Sequence, residues 1–315
     1  MANKLIVAPA PHVQTLQSTP SIMRDVLIAL VPALVVSTVV FGLNVLLLTA
    51  FSILCCVAFE YLIQKFLVKG PTTVCNLSAA VTGMLLAFNL PVTIPWWIVV
   101  IGSLVAIGVA KMTFGGLGKN PFNPALVGRV FLLIAYPVQM TSFTTDAFTG
   151  ATPLAAMKFS PVFDGAILPD LWIGKVAGSM GEVAAAALLL GFVYLLWRRV
   201  IKWQIPVTIF ATMAVFALCV ALSRGWTGVA LVGFPLFHIL AGGAMLGAIF
   251  MATDYSTSPM TVRGGVIYAV GIGAITMLIR EWGSYPEGMS FAILIMNAVT
   301  PLINKYVKPK RFGVK

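Results

Sequence analysis

Charged side chains are scarce in this sequence: Asp, Glu, Lys and Arg together make up 9% of its 315 residues. Soluble domains use about 25%. Hydrophobic residues make up 60% of the chain, which leaves too few polar side chains to cover a soluble fold. The composition therefore excludes a soluble globular protein and indicates an all-α polytopic membrane protein.

Acidic residues are fewest of all, 9 Asp and Glu against 20 Lys and Arg, for a formal net charge of +11. Such an excess of positive charge also occurs in nucleic-acid-binding proteins. Here the Lys and Arg residues separate apolar segments and form no continuous basic face. We therefore expect no nucleic-acid partner and interpret these charges as determinants of membrane topology.

Cysteine and histidine are also rare, with 4 and 2 residues. No two cysteines have Cys-x-x-Cys spacing, so we expect neither an iron–sulfur cluster held by this chain alone nor a structural disulfide. The histidines, His12 and His238, are far apart, and we predict no metal ligand and no catalytic side chain. The sequence also lacks Gly-x-Gly-x-x-Gly in a strand–turn–helix setting, which argues against a NAD site of its own.

Long apolar runs dominate what is present. Ten segments can be drawn, at 22–41, 43–63, 76–90, 96–110, 124–136, 183–197, 205–222, 236–251, 265–279 and 289–303. Several are shorter than the roughly 20 residues that cross a bilayer. Short segments predict helices extended by semi-polar ends, or broken helices packed inside protein.

An even number of spans places both chain ends on one side of the membrane. Of the 20 Lys and Arg residues, all but Lys158, Lys175, Arg224 and Arg280 then fall on that side. Because cytoplasmic loops carry an excess of Lys and Arg, the termini are predicted to be cytoplasmic. We expect a cytoplasmic segment over 1–21, which has no signal-peptide pattern, and a basic cytoplasmic tail over 305–315.

Five spans (22–140) precede the long polar loop 141–182, and five (183–304) follow it. Because five is odd, two similar halves must have opposite orientations in the membrane, as inverted repeats do. The third span of each half contains a short run rich in small residues, 83–88 and 244–249, followed by a polar link with proline. This pattern points to an intramembrane site; close helix packing through Gly and Ala is the alternative.

The polar loop contains the run Asp-Ala-Phe-Thr-Gly-Ala-Thr-Pro at 146–153. Its pattern, Asp-x-x-Ser/Thr-Gly-Ala-Ser/Thr, resembles the acceptor motif of flavin transferases, which attach FMN through a phosphoester to the last Thr, here Thr152. Gly150 and Ala151 leave the hydroxyl accessible because neither carries a bulky side chain. Asp146 and Thr149 are the expected recognition residues. We predict a covalent FMN on Thr152, outside the membrane on the extracytoplasmic face.

Thr152 also has the features of a helix N-cap, since Pro153 and a run of helix formers follow it. A cap alone requires neither Asp146 nor the Gly-Ala pair. The two interpretations are compatible, because a phosphate on a capping Thr would lie near free N–H groups.

With the motif and the topology together, the chain resembles the family that contains the D subunit of the Rnf electron-transport complex and the B subunit of the Na⁺-pumping NADH:quinone oxidoreductase. The resemblance covers essentially the whole chain. Besides the flavin loop it rests on Ser-Ile-Met-Arg-Asp at 21–25, Gly-Lys-Asn-Pro-Phe-Asn-Pro at 118–124 and Thr-Asp-Tyr-Ser-Thr-Ser-Pro at 253–259. The short N-terminal region favours the Rnf branch, because the B subunit of the quinone pump has a longer one.

The resemblance implies a urea-transporter-like fold of two inverted five-helix halves, FMN on Thr152 and a noncovalent riboflavin. It implies a bacterial inner-membrane redox subunit, not catalytically complete alone, of a ferredoxin:NAD oxidoreductase that translocates Na⁺ or H⁺. The implied partners are further Rnf membrane subunits, a second covalent-flavin subunit, iron–sulfur and NADH-binding subunits, a flavin transferase for maturation, and membrane lipid.

Polar residues within or beside the spans are candidates for an ion pathway, because such residues are costly in a membrane unless they serve a function. We favour Asn89, Asn123 and Asp254. The other candidates are Asp25, Glu60, Asn76, Asn120 and Arg129. Each also has a structural interpretation, as an interfacial ion pair or as a residue that caps or turns a link.

Three other functions fit parts of the sequence. The first is that of a subunit like the B subunit of the Na⁺-pumping NADH:quinone oxidoreductase, which shares the flavin motif. A urea-like solute channel suits the inverted halves but has no use for a flavin motif. A scaffold that only holds partner subunits suits the apolar spans and predicts no bound chromophore.

Overall fold

The computed structural model describes residues 18–70, 72–143, 152–159, 165–174, 176–182 and 185–309. The regular structure of these residues is helical throughout, which confirms the all-α prediction. The helices before the polar loop are α1 (Thr19–Phe41), α2 (Asn44–Leu62, continued by a π-helical turn, Ile63–Val68), a 3₁₀ turn (Val74–Asn76), α3 (Ser78–Phe88), α4 (Trp96–Leu104, continued by a π-helical segment, Val105–Met112), α5 (Pro124–Ala135) and α6 (Pro137–Thr141).

Two short helices, α7 (Pro153–Phe159) and α8 (Ile167–Ile173), follow Thr152. The second half contains α9 (Ala185–Trp197), α10 (Gln204–Ser223), α11 (Val229–Leu240), α12 (Ala244–Leu246, continued by a π-helical turn, Gly247–Met251), α13 (Val262–Trp282) and α14 (Met289–Tyr306).

Four helices in the described part are long and apolar enough to cross a membrane: α1, α2 with its π turn, α10 and α13. The pair α11 and α12 adds a fifth span, bent by 60°. Four shorter apolar helices, α3, α4 with its π segment, α5 and α9, pack among them. Every residue of α3 is buried, as expected for a helix that is hydrophobic on all sides. These features confirm a polytopic membrane protein.

The apolar segment predicted at 236–251 belongs to this bent pair, in line with the expectation of broken helices among the short segments. The helix begins earlier, at Val229, and breaks after Leu240. Gly242 and Gly243 both have a φ of +66°, a left-handed conformation that ends a helix and that glycine adopts without strain. Two glycines in an apolar run are also typical of close helix packing, whereas here they form the break.

The two halves pack in the same order and in opposite directions. Helix α2 packs on α3 and α4, and α10 packs on α11 and α13. The first helices of the halves, α1 and α9, run antiparallel to each other. Arg198, which follows α9, donates to Asp25 near the start of α1 (Nε to Oδ2, 3.1 Å), while Ser37 near the end of α1 donates to the carbonyl of Met180 before α9 (2.6 Å). Equivalent helices of opposite direction are the signature of an inverted repeat.

Hydrogen bonds between links define two ends of the molecule. At the Asp25 end, Thr261 donates to the carbonyl of Val307 (3.3 Å), and Tyr255 donates to the carbonyl of Val200. The opposite end, called here the Thr152 end, contains α7 and the links that precede α9 and α14. Each functional feature described below belongs to one of these ends or connects them.

Candidate functional site

Thr152 lies directly before α7 at the edge of a cavity. It is 7% exposed. Its Oγ1 accepts a hydrogen bond from the backbone N–H of Ala155 (3.3 Å), and its carbonyl accepts one from Ala156 (2.9 Å). The predicted cap and Pro153 as the first helical residue are both confirmed. The predicted recognition residues Asp146, Thr149, Gly150 and Ala151 lie outside the described residues.

The bonding of Thr152 is compatible with an ester at its oxygen. In the described part of the chain, this hydroxyl makes a hydrogen bond only as an acceptor. An ester oxygen keeps a lone pair but has no proton to donate. Esterification would therefore remove no hydrogen bond that the described residues form.

Two carboxylates, Glu182 and Glu287, line the small cavity beside Thr152, which has a volume of about 20 Å³. Glu182 is positioned by backbone bonds between its link and the end of α3. Gly181 N–H donates to the carbonyl of Phe88 (2.8 Å), an approach that a side chain at Gly181 would block. The Glu287 link is fixed to α7, because Lys158 donates to the carbonyl of Tyr285 (3.2 Å).

Arg129, one turn into α5, joins both carboxylates. Its Nη2 lies 3.3 Å from Oε1 of Glu182 and also contacts Oε2 of Glu287, while its Nη1 donates to Oδ1 of Asn89. The side chains of Arg129 and Glu182 are 8% and 5% exposed, and that of Glu287 is 14% exposed. We call Asn89, Arg129, Glu182 and Glu287 the Arg129 cluster.

The position of Arg129 corrects one prediction. The charge pattern assigns it to the side of the termini, but it contacts the links of the Thr152 end. A buried guanidinium needs carboxylate partners, and those partners decide its depth in the membrane. Reassigning Arg129 leaves the predicted Lys and Arg bias strong, since it moves one charge of 20.

Glu287 lies in the link before α14, outside the spanning helices. Burial raises the pKa of its carboxyl to about 7, the charge of Glu182 acts in the same direction, and the guanidinium of Arg129 opposes both. The proton affinity of Glu287 therefore changes with small changes in nearby charge.

A second, larger cavity lies toward the Asp25 end and has a volume of about 80 Å³. Its walls are mostly apolar, with polar side chains from both halves that include Ser78, Lys111, Asn120, Asn123, Asp254 and Ser256. Asp254 accepts a hydrogen bond from Ser256 (2.9 Å). Burial raises the pKa of Asp254 above its ordinary value, and the bonds from Ser256 and Thr257 limit the rise.

Two of the three favoured ion-pathway residues, Asn89 and Asn123, meet at Met251, the last residue of the π turn after α12. The Nδ2 of Asn89 lies 3.8 Å from Sδ of Met251, and the Nδ2 of Asn123 donates to its carbonyl (3.2 Å). Asp254 follows on the large cavity. Asn123 also caps α5, as its structural interpretation predicted.

The other candidates are distributed more widely. Asp25 pairs with Arg198, and Asn120 donates to the carbonyl of Phe122 (3.0 Å). Asn76 lies in the 3₁₀ turn before α3. Glu60 forms a buried ion pair with Lys111, which the sequence pattern assigns to the topology charges.

Sequence reasoning did not select Lys111, Glu182 or Glu287. The available signal was the shortage of acids: with 9 Asp and Glu in 315 residues, each acid beside an apolar segment is a candidate for a buried ion pair. That signal selects Glu60, and it extends equally to the two links of the Thr152 end that carry Glu182 and Glu287.

Comparison with known proteins places the chain in a family. The sequence pattern of the NQR2, RnfD, RnfE family matches residues 6–313. The chain is 48% identical over 316 residues to the D subunit of the Na⁺-translocating ferredoxin:NAD⁺ oxidoreductase complex of Acetobacterium woodii, covering 98% of this chain and 96% of that protein. It is 42% identical to the D subunit of the proton-translocating ferredoxin:NAD⁺ oxidoreductase complex of Clostridium ljungdahlii, over 99% of this chain and 97% of that protein.

The D subunit of the ion-translocating oxidoreductase complex of Vibrio cholerae is 37% identical over 98% of this chain and 99% of its own length. Alignments of this length and identity leave no large part of the chain unmatched. The chain therefore belongs to the NQR2, RnfD, RnfE family.

Proposed function

We propose that this chain is the D subunit of an ion-translocating ferredoxin:NAD⁺ oxidoreductase complex and carries electrons on an FMN esterified to Thr152. The observation that carries the proposal is the Thr152 hydroxyl, which borders a cavity lined by buried carboxylates at one end of a membrane bundle. The full-length matches to D subunits of ferredoxin:NAD⁺ oxidoreductase complexes support the Rnf assignment over the quinone-pump alternative.

The roles of the loop residues follow from the chemistry of attachment. Thr152 supplies the ester oxygen, and a separate flavin transferase activates it, so no local base is needed. Asp146 and Thr149 provide recognition, and Gly150 and Ala151 provide access. Bound FMN would supply electron transfer, while the protein supplies position and electrostatics.

The large cavity is our proposed site for the noncovalent riboflavin. A small-molecule site is typically a mostly apolar pocket with a few polar groups that orient the ligand. The large cavity presents Asn120, Asn123 and Asp254 among apolar walls. These side chains can donate hydrogen bonds to, or accept hydrogen bonds from, the polar edge of a flavin ring.

We place the chain in the bacterial inner membrane with both termini cytoplasmic, so that the Thr152 end is extracytoplasmic. The Lys and Arg distribution supports this orientation. The proposed partners are the other membrane, flavin, iron–sulfur and NADH-binding subunits of the complex. The exposed apolar side chains of α1 and α2 offer surface to lipid or to those subunits.

Replacement of Thr152 by Val tests the flavin assignment. The chain is expressed with a flavin transferase, denatured and examined for in-gel flavin fluorescence and for FMN mass on the peptide containing residue 152. We expect Thr152→Val to lose the covalent flavin and to keep its membrane fold, because α7 lies outside the spanning helices. Val keeps the shape of Thr but cannot form the ester.

Thr141→Val is the matched control, since Thr141 is an exposed hydroxyl at the end of α6. It should label like the unaltered chain. Fluorescence that persists on denatured Thr152→Val would disprove the assignment of the ester to Thr152. An unmodified peptide from the unaltered chain, where a known acceptor is labelled, would favour the solute-channel function instead.

A further inference from the structure

The Arg129 cluster combines residues from both halves around one guanidinium. Arg129 belongs to α5 in the first half, whereas Glu182 precedes α9 and Glu287 precedes α14 in the second half. Both carboxylates reach the same nitrogen, Nη2, and both also line the cavity that Thr152 borders. The cluster is thus a buried charged group at the same small cavity as the proposed attachment oxygen.

Charge balance in the cluster is close. Two carboxylates face Arg129, and Arg280 on α13 is the next positive charge acting on them. Arg280 is already bonded to carbonyls at the break after α11, those of Ala241 (2.9 Å) and Gly242 (3.0 Å). Its positive charge is therefore shared with the negative end of a helix and offsets the second carboxylate only in part.

The remaining titratable groups near the cluster face elsewhere. His238 on α11 lies next to Arg280, and its Nε2 is 3.5 Å from Oε1 of Glu281. Glu281 itself pairs with Arg224 at the end of α10. Within the described residues, Glu182 and Glu287 are the two carboxylates that line the Thr152 cavity.

Negative charge added beside a buried carboxylate raises its affinity for a proton. Of the two carboxylates, Glu287 is the more exposed, and its pKa of about 7 lies near the ambient pH. Proton binding at Glu287 removes one negative charge while Glu182 keeps its contact with Arg129. Such uptake needs no rearrangement of the cluster.

From this geometry we propose that Glu287 is a redox-linked proton site: it binds one proton when an electron arrives beside Thr152 and releases it when the electron leaves. The inference rests on the proposed FMN attachment. The electron comes from the preceding one-electron carrier of the complex. The proton enters through the Thr152 cavity and forms an O–H bond on a carboxylate oxygen of Glu287. On reoxidation that O–H bond breaks and the proton returns to the cavity.

This site would let electron transfer move a proton on the Thr152 side of the molecule. Glu287 thereby acts as a charge-compensating residue for the flavin. Asn89, bonded to Arg129 and in contact with Met251, connects the cluster with the region where Asn123 and the large cavity begin. Only one side chain, Arg129, thus separates Glu287 from Asn89, a residue of the proposed ion pathway.

The test is an infrared redox-difference spectrum of the purified complex, reduced with dithionite and reoxidised. Reduction should produce a protonated-carboxyl C=O band that is lost completely in Glu287→Gln. Glu281→Gln is the matched control: it removes another buried carboxylate of the Thr152 end, one that pairs with Arg224, and it should keep the band. A band that persists in Glu287→Gln would overturn the proposal.

Two checks keep the outcomes distinct. In-gel fluorescence of this subunit, with FMN mass on the peptide containing residue 152, first establishes for each preparation that FMN is attached to Thr152. Without it the proposed function fails, and the proton site fails with it. If FMN is present but the unaltered complex shows no protonated-carboxyl band on reduction, the proton site is refuted while the flavin assignment stands. This second measurement uses no variant, so it holds even if Glu287→Gln does not assemble.

Discussion

At the scale of single residues, Lys111 shows that an ion-pair partner determines whether a charged side chain lies in the protein interior. It lies in the π-helical segment after α4 with its side chain 2% exposed, and its Nζ is 2.6 Å from Oε2 of Glu60, itself 1% exposed. Ser78 at the start of α3 accepts a further bond from the same Nζ (2.7 Å). A lysine that the sequence pattern assigns to a cytoplasmic loop is thus part of the protein interior.

Lys111→Met should destabilise the chain by about 3–5 kcal/mol, because it leaves the Glu60 carboxylate buried without its ion-pair partner. The double variant Lys111→Met with Glu60→Gln should lose less, since it removes both charges and Gln keeps the length of Glu. Thermal unfolding of the purified chain in detergent measures both. Lys65→Met, at an exposed lysine on the π turn after α2, is the control and should change stability little.

The double variant carries the decisive comparison. If the double variant were less stable than Lys111→Met alone, removing the unpaired Glu60 carboxylate would not have restored stability. The cost of burying an unpaired carboxylate would then be the wrong explanation for the effect of Lys111→Met.

The residue scale is also where sequence prediction is weakest. Thr152 could be selected as a candidate acceptor because its motif is local and runs without interruption from Asp146 to Thr152. The Arg129 cluster could not, because Glu182 and Glu287 are 53 and 158 residues from Arg129 in sequence. Nothing in the local pattern of either link specifies which charge it will meet after folding.

At the scale of elements, the buried helix α3 depends on a close approach to α2. Ser52 on α2 donates to the carbonyl of Gly83 (2.8 Å), which brings the two backbones together. A Cβ at Gly83 would lie 2.7 Å from Cα of Ile53, and a backbone atom cannot move aside as a flexible side chain can. The sequence leaves open whether the small residues of 83–88 mark a site or a packing contact. At Gly83 the structure shows a packing contact.

Gly83→Ala should therefore cost about 1–3 kcal/mol, the usual range for overpacking a buried contact. The control is Gly108→Ala in the π segment after α4, where a Cβ would meet side-chain atoms at 3.5 Å and 3.6 Å. Helix propensity alone predicts that this control is neutral or more stable by up to about 1 kcal/mol. Melting temperatures of the two variants in the same detergent make the comparison. Equal melting temperatures would show that α2 and α3 separate at no cost.

Most helices could be predicted from apolar runs, because the bilayer forces spanning segments to be helical and apolar. The interruption at Gly242 and Gly243 could not, since two glycines in an apolar run are compatible with a packed helix or a break. The carbonyls freed at the break are bonded by Arg280 from α13, about forty residues away in sequence. That long-range bond, and no local signal, stabilises the broken form.

At the scale of the whole molecule, the inverted halves create two chemically different ends from similar parts. The Thr152 end contains the Arg129 cluster and the proposed FMN, and the large cavity lies toward the Asp25 end. The Arg129 cluster and the large cavity approach each other around Met251, where Asn89 and Asn123 make contact from different helices of the first half. The fold thus joins two regions at Met251: the Arg129 cluster, which shares a cavity with Thr152, and the large cavity.

The orientation of these ends gives the final prediction. Chains with the 4 native cysteines replaced by alanine receive one new cysteine, at Ser142 or at Lys202. Ser142 is exposed after α6 and its carbonyl accepts from Thr93 (3.2 Å), whereas Lys202 is exposed in the link between α9 and α10. In intact cells a membrane-impermeant maleimide should label Ser142→Cys and not Lys202→Cys, because in the proposed orientation the Lys- and Arg-rich side is cytoplasmic. Lys202→Cys should become labelled once the membrane is permeabilised, which shows that its thiol is accessible. The reverse pattern in intact cells would place Thr152 in the cytoplasm. The interpretation of the charge bias, the extracytoplasmic position of the flavin and the direction of proton release from Glu287 would then all have to be revised.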